Sequence, residues 1–120
     1  MPEIKLGVVE SRFAEIIWKS EPISSGELVK LCAQELSWKK STVYTVLRKL
    51  CERGLFQNQN GMVTSSLSKQ EFYAIQGEEI IKDGFQGSLP ALIAAFTKRK
   101  TLTAKETAEI RRLIDSARKE

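Results

Sequence analysis

A mostly helical chain with one small β-hairpin is the fold that the sequence predicts, on three observations. Apolar residues recur at helical spacing along most of the chain, beginning with Val9, Phe13, Ile16 and Ile17. Ser24, Ser68 and Thr103 each stand three residues ahead of a glutamate, the spacing at which a helix start is capped reciprocally. Asn60-Gly61 separates two short extended segments, and a tight hairpin turn needs the positive φ that these residues tolerate.

Taken in order, the first helix is expected over residues 8–19, with Trp18 one position round from its apolar face. Pro22 breaks it, and a second helix opens at Ser24 with Leu28, Leu31, Cys32 and Leu36 on its apolar side. The third covers "KKSTVYTVLRKL", residues 39–50, and continues to "CERG". There Val43, Val46, Leu47, Leu50 and Cys51 fall at i, i+3, i+4, i+7 and i+8, and Gly54 suits the left-handed position beyond the helix end. Strands are expected near 55–59 and 62–67, as a ribbon that leans on the helices because an isolated hairpin is marginal in water.

From Ser68 the helical period returns with Phe72, Ile75 and Ile80, up to the loop "DGFQGS". A short helix then carries Leu89, Leu92, Ile93 and Phe96, and a last one Ile110, Leu113, Ile114 and Ala117. Three helices followed by a hairpin make a winged helix-turn-helix domain, expected over 1–67, with a helical arm over 68–120. Thin amphipathic pieces cannot cover one another's apolar faces within one chain. A homodimer would cover them, which places Phe72, Ile75, Leu89, Leu92, Ile93, Phe96, Ile110, Leu113 and Ile114 at its interface.

Composition narrows the function. The 120 residues are 42% hydrophobic and 28% charged, an ordinary globular balance, and the net charge of +4 leans weakly toward a polyanionic partner. There is no histidine, the commonest general base and metal ligand, and the two cysteines are isolated, so neither a metal site nor a cofactor is expected. No spacing marks a nucleophile with its base, and an enzyme is not expected. The N-terminus has no signal-peptide pattern and no apolar run reaches the about 20 residues that span a bilayer. A cytoplasmic location without membrane insertion follows, with Cys32 and Cys51 as reduced, buried structural thiols.

The third helix is the candidate reader of nucleic acid. Such a helix packs one face on its neighbours and offers small or hydroxyl groups to base edges, with basic residues flanking them for phosphates. A helical wheel puts Ser41, Thr45, Arg48 and Lys49 opposite the apolar stripe, with Thr42 and Tyr44 on the shoulders. Residues 37–53 hold Lys39, Lys40, Arg48, Lys49 and Arg53 against the single acid Glu52, a local balance equal to the +4 of the whole chain. A plainer reading makes Ser41 and Thr42 helix caps and the cations a solvated face. It gives no reason for Tyr44 and Thr45 in mid-helix. The wing residues of this arrangement are Asn60, Gly61 and Met62.

The segments "ESRFAEIIWKSEPISSGELVKL", "W-x-x-STVYTVLRKLCERGL" and "SLPALIAAF" resemble the penicillinase repressor family of bacterial winged-helix repressors. The resemblance runs from about Leu6 to the C-terminus and is most specific at Glu10, Trp18 and Trp38 through Leu55. It implies a homodimer on double-stranded operator DNA with dyad symmetry, repressing a β-lactamase, penicillin-binding-protein or metal-export operon, with base and phosphate contacts from Ser41, Thr42, Thr45 and Lys49. Ser41 stands where relatives can have Lys and Lys49 where they often have Arg, a difference that bears on operator sequence. The wing departs further: relatives tend to have a basic residue after the turn glycine and a strand ending in Tyr-x-Pro, where this chain reads "NGMVTSSLS".

In the antibiotic-responsive branch a membrane sensor protease cuts the arm, and the family's Asn-Phe bond aligns with Ala95-Phe96. Phe96 also reads as an ordinary apolar residue of its helix. The Cys-x-Cys pairs of the copper-responsive branch have no counterpart. A ligand-responsive winged-helix regulator of another family, or a winged-helix protein-interaction module, remains the alternative reading.

Overall fold

The computed structural model describes residues 5–118, in the order α1 (Val8–Ser20), β1 (Ile23–Ser24), α2 (Ser25–Leu36), α3 (Lys40–Glu52), β2 (Phe56–Gln59), β3 (Met62–Ser65), α4 (Lys69–Phe85), α5 (Leu89–Arg99) and α6 (Ala104–Ala117). The chain divides into two compact units, the first ending at Glu78 and the second beginning at Glu79.

The first unit is a winged helix. Phe13, Ala14 and Ile17 of α1, Leu28 and Cys32 of α2, and Val43, Leu47 and Leu50 of α3 share one core. Apolar spacing creates that core; local signals bound its helices. The Ser24 hydroxyl accepts the Glu27 N–H at 3.1 Å and starts α2. Ser37, in the left-handed region at φ 58°, ends it. The turn from Ser37 to Lys39 carries Trp38, whose ring stacks on Phe13 at 5.3 Å and so seats the start of α3 against α1. Gly54 follows the α3 end at φ 87°, a conformation that a side chain would strain.

Asn60 and Gly61 form the turn between β2 and β3 at φ 54° and 82°, the positive pair the hairpin requires. The sheet holds a third strand that no periodicity announced: β1 pairs antiparallel with β3, Ile23 opposite Val63 and Ser24 opposite Met62, in the order β1-β3-β2. Below the turn, the Glu21 carboxylate accepts the Ser65 backbone N–H at 2.9 Å and its hydroxyl at 2.8 Å. The wing is thus fixed along its length to the connection between α1 and α2.

One expectation changes at α4. Phe72, expected at the interface between copies, is 3% exposed inside the first unit, its ring 5.4 Å from Trp18. Ile75 packs against the same core. A helical stripe shows that residues are buried but not against which neighbour, and here the first turns of α4 close the winged-helix core. The Trp18 indole N–H reinforces this by donating to the Leu67 carbonyl at 3.0 Å, just before α4. The stretch "DGF", expected in a loop, continues α4 to Phe85, and the turn follows at Gln86 and Gly87, both at positive φ.

In the second unit Ser88 caps α5, and Thr103 with Glu106 forms a reciprocal box at the start of α6. Those backbone and hydroxyl donors hold the Glu106 carboxyl below its ordinary value, as the Ser68 donors do for Glu71. Neither α5 nor α6 has a buried residue. Leu89, Ile93, Phe96, Leu113 and Ile114 are all about half exposed or more, between 45% and 60%. Leu92, Ile93, Phe96, Leu102, Ile110 and Ile114 line an apolar groove of about 290 Å³.

Candidate nucleic-acid interface

The third helix buries Val43, Leu47 and Leu50 and turns Lys39, Lys40, Ser41, Thr42, Tyr44, Thr45, Arg48 and Lys49 outward, every one of them exposed. The wheel therefore separates the two faces correctly. Its plainer reading of Ser41 and Thr42 as caps does not fit, because the N-cap is Lys39 and makes no side-chain capping hydrogen bond.

That start is electrostatically odd. The first N–H groups of a helix lack partners within it and carry its positive end, where acids stabilise and cations cost about 0.3–1 kcal/mol each. α2, α4 and α6 meet this with Ser or Thr and a glutamate in the first turn. α3 has no acid in its first turn and places Lys39 and Lys40 there instead. An external anion reverses the sign of this arrangement, since backbone donors, lysines and helix dipole then all face one phosphate-like charge.

Two mid-helix residues gain partners. The Thr45 hydroxyl donates to the Ser41 carbonyl at 2.9 Å, which leaves its oxygen as an acceptor and its methyl as an apolar contact. The Tyr44 hydroxyl donates to Ser25 Oγ at 3.2 Å, joining α3 to the first residue of α2. Ser25 in turn donates its backbone N–H to the Gly61 carbonyl at 2.8 Å. α3, the start of α2 and the wing turn are therefore linked through one serine. Sequence reasoning missed Ser25, and no local signal marks it, because both partners are distant in the chain.

At the wing, Asn60, Gly61 and Met62 are exposed. Arg53, at the far end of α3, lies 3.9 Å from the Glu10 carboxylate. Cys32 is fully buried and its thiol is pushed up to about 11 by desolvation and then by Glu35; Cys51 is raised for the same first reason, with Glu52 second. Both shifts disfavour the thiolate, and Cys51, expected buried, is half-buried. Among the described residues no group of three His, Cys, Asp or Glu could hold a metal ion, and no helix is long and apolar enough to cross a membrane.

An exposed third helix with a cationic start and a wing tied to it are consistent with a DNA-binding regulator, and comparison with known proteins agrees. The sequence model of the penicillinase repressor family matches residues 6–116, through both units. The penicillinase repressor of Bacillus licheniformis is 21% identical over 110 residues, covering 88% of this chain and 86% of that protein. The chain belongs to the penicillinase repressor family, and is a DNA-binding transcriptional repressor rather than an enzyme.

Proposed function

We propose that the chain represses transcription as a homodimer on a dyad operator, each protomer placing α3 in a major groove one helical turn from the other. The outward face of α3 carries this reading: hydroxyl side chains Ser41, Thr42 and Thr45 at the N-terminal end, flanked by Lys39, Lys40, Arg48 and Lys49. Short hydroxyls admit the backbone close to base edges, while the cations meet phosphates on either side. Leu89, Leu92, Ile93, Phe96, Ile110, Leu113 and Ile114 supply the association face. The likeness to the penicillinase repressor of Bacillus licheniformis supports genes of β-lactam resistance as the regulated set.

Induction proceeds by a cut at Ala95–Phe96 by a membrane sensor protease. That bond lies in the middle of α5, and a protease takes its substrate extended, so α5 must open before the cut. With no buried residue to hold it, α5 opens at small cost in a free protomer.

Mobility shifts with fragments of the chain's own promoter region test the α3 assignment. Thr45→Ala is expected to weaken binding to the preferred sequence by about 1–3 kcal/mol and relax preference there. Lys49→Ala is expected to weaken binding, and to flatten the log–log salt dependence by about one unit for each Lys49 in the complex. Sequence-specific binding unchanged by both substitutions overturns the assignment.

A further inference from the structure

The wing is chemically unlike the helix beside it. From Gly54 to Ser68 there is no charged residue, in a chain that is 28% charged. Such a wing has no ion pair to offer a phosphate. Its exposed amides are Gln57, Asn58, Gln59 and the turn residue Asn60. In the β2–β3 register Asn58 shares a face with buried Val63, so the opposite face carries Gln57 across from Thr64 and Gln59 across from Met62. The Gln59 side-chain Nε2 donates to the Gln57 side-chain Oε1 at 3.3 Å, which aligns the two amides along the strand. Met62, 45% exposed, stands beside them next to the turn.

This face is held rather than free. Ser25 binds the Gly61 carbonyl at the tip and Tyr44 through its hydroxyl, and Glu21 holds Ser65 at the base. A wing fixed in this way keeps one position relative to α3.

We infer that the wing face of Gln57, Gln59 and Met62 is a second base reader, which recognises A·T pairs in the minor groove flanking the major-groove site of α3. The inference rests on α3 as the major-groove reader. In the minor groove both orientations of an A·T pair present only the acceptors adenine N3 and thymine O2, whereas G·C adds the guanine N2 donor. Glutamine amide N–H groups pair with those acceptors, and a slim apolar thioether fits between the sugar walls. The guanine amino group displaces both. The discrimination is A·T against G·C, without distinguishing A from T.

The test begins with selection of bound duplexes from a random-sequence pool by the full chain, which gives the core sequence read by α3. Duplexes with that core and A·T, G·C or inosine·C flanks are then titrated at fixed salt. Inosine presents the major-groove pattern of guanine but lacks the N2 amino group, so it isolates the minor-groove donor. The wild type is expected to bind A·T and inosine·C flanks alike, about tenfold more tightly than G·C flanks. The Gln57→Ala/Gln59→Ala double variant, altered only at exposed positions, is expected to keep its thermal midpoint and its core preference while losing the flank preference. Equal wild-type binding to all three flanks, inosine·C behaving as G·C, or a flank preference retained by the double variant each overturns the inference. Failure of α3 as the reader shows separately, as the absence of any selected core that Thr45→Ala relaxes, and removes this inference with it.

Discussion

Replacing Phe13 by alanine is expected to lower the stability of the winged-helix unit by about 3–5 kcal/mol, a large part of what a domain of this size has. The ring is fully buried among side chains of α1, α2 and α3, and its removal leaves a cavity that rigid helices cannot fill. It also removes the surface on which Trp38 stacks at 5.3 Å. Trp38 lies in the turn that delivers the chain into α3, so the seating of α3 is lost along with stability. Urea unfolding followed by tryptophan fluorescence measures the effect, since Trp38 contacts the altered site directly and Trp18 reports on the aromatic group with Phe56 and Phe72. A shift under 1 kcal/mol would contradict the placement of Phe13 at the centre of the core.

The second large effect concerns association. Leu113 is 60% exposed in the single chain, so Leu113→Asp costs little within a protomer, in the range of about 0.5 kcal/mol common for surface positions. In the proposed homodimer the same side chain is covered, and an unpaired carboxylate there is prohibitive. Sedimentation at micromolar concentration is expected to change from dimer to monomer. Affinity for a dyad fragment should fall by 10²-fold or more, because two linked half-site contacts become two separate ones, while affinity for a single half-site stays the same. A variant that sediments as the wild type does would place the association face elsewhere.

Much of this architecture can be read from the residues, and the reasons are local. Ser24, Ser68 and Thr103 start helices through hydrogen bonds to glutamates three positions on, and an interaction within one turn is visible in the sequence as spacing. The Asn60-Gly61 turn is legible for the same reason. The outward face of α3 follows from its period once Val43, Leu47 and Leu50 are assigned inward.

What escapes the sequence depends on which distant partner a residue meets. Ile23 and Ser24 form a strand too short to show any alternation, and it exists because β3 passes alongside. Phe72 and Ile75 sit on a stripe indistinguishable from that of an association face, yet Trp18 covers Phe72 within the chain. Tyr44 looks unexplained along α3 because its partner is Ser25, on another helix. The uncharged wing reads as a weakened phosphate contact in the sequence. Only the register of β2 against β3 separates Gln57 and Gln59, as one face, from Asn58 on the other.

The bare start of α3 has a consequence for anyone who tries to improve this protein. Glutamate in place of Thr42, the third position of that helix, would supply the carboxylate that α2, α4 and α6 already have, with a gain of some tenths of a kcal/mol. In the proposed complex it would also set a negative charge beside the phosphates that Lys39 and Lys40 meet. A screen for heat resistance would enrich that change and a screen for repression would discard it, so at the tip of α3 the two selections drive the same codon in opposite directions.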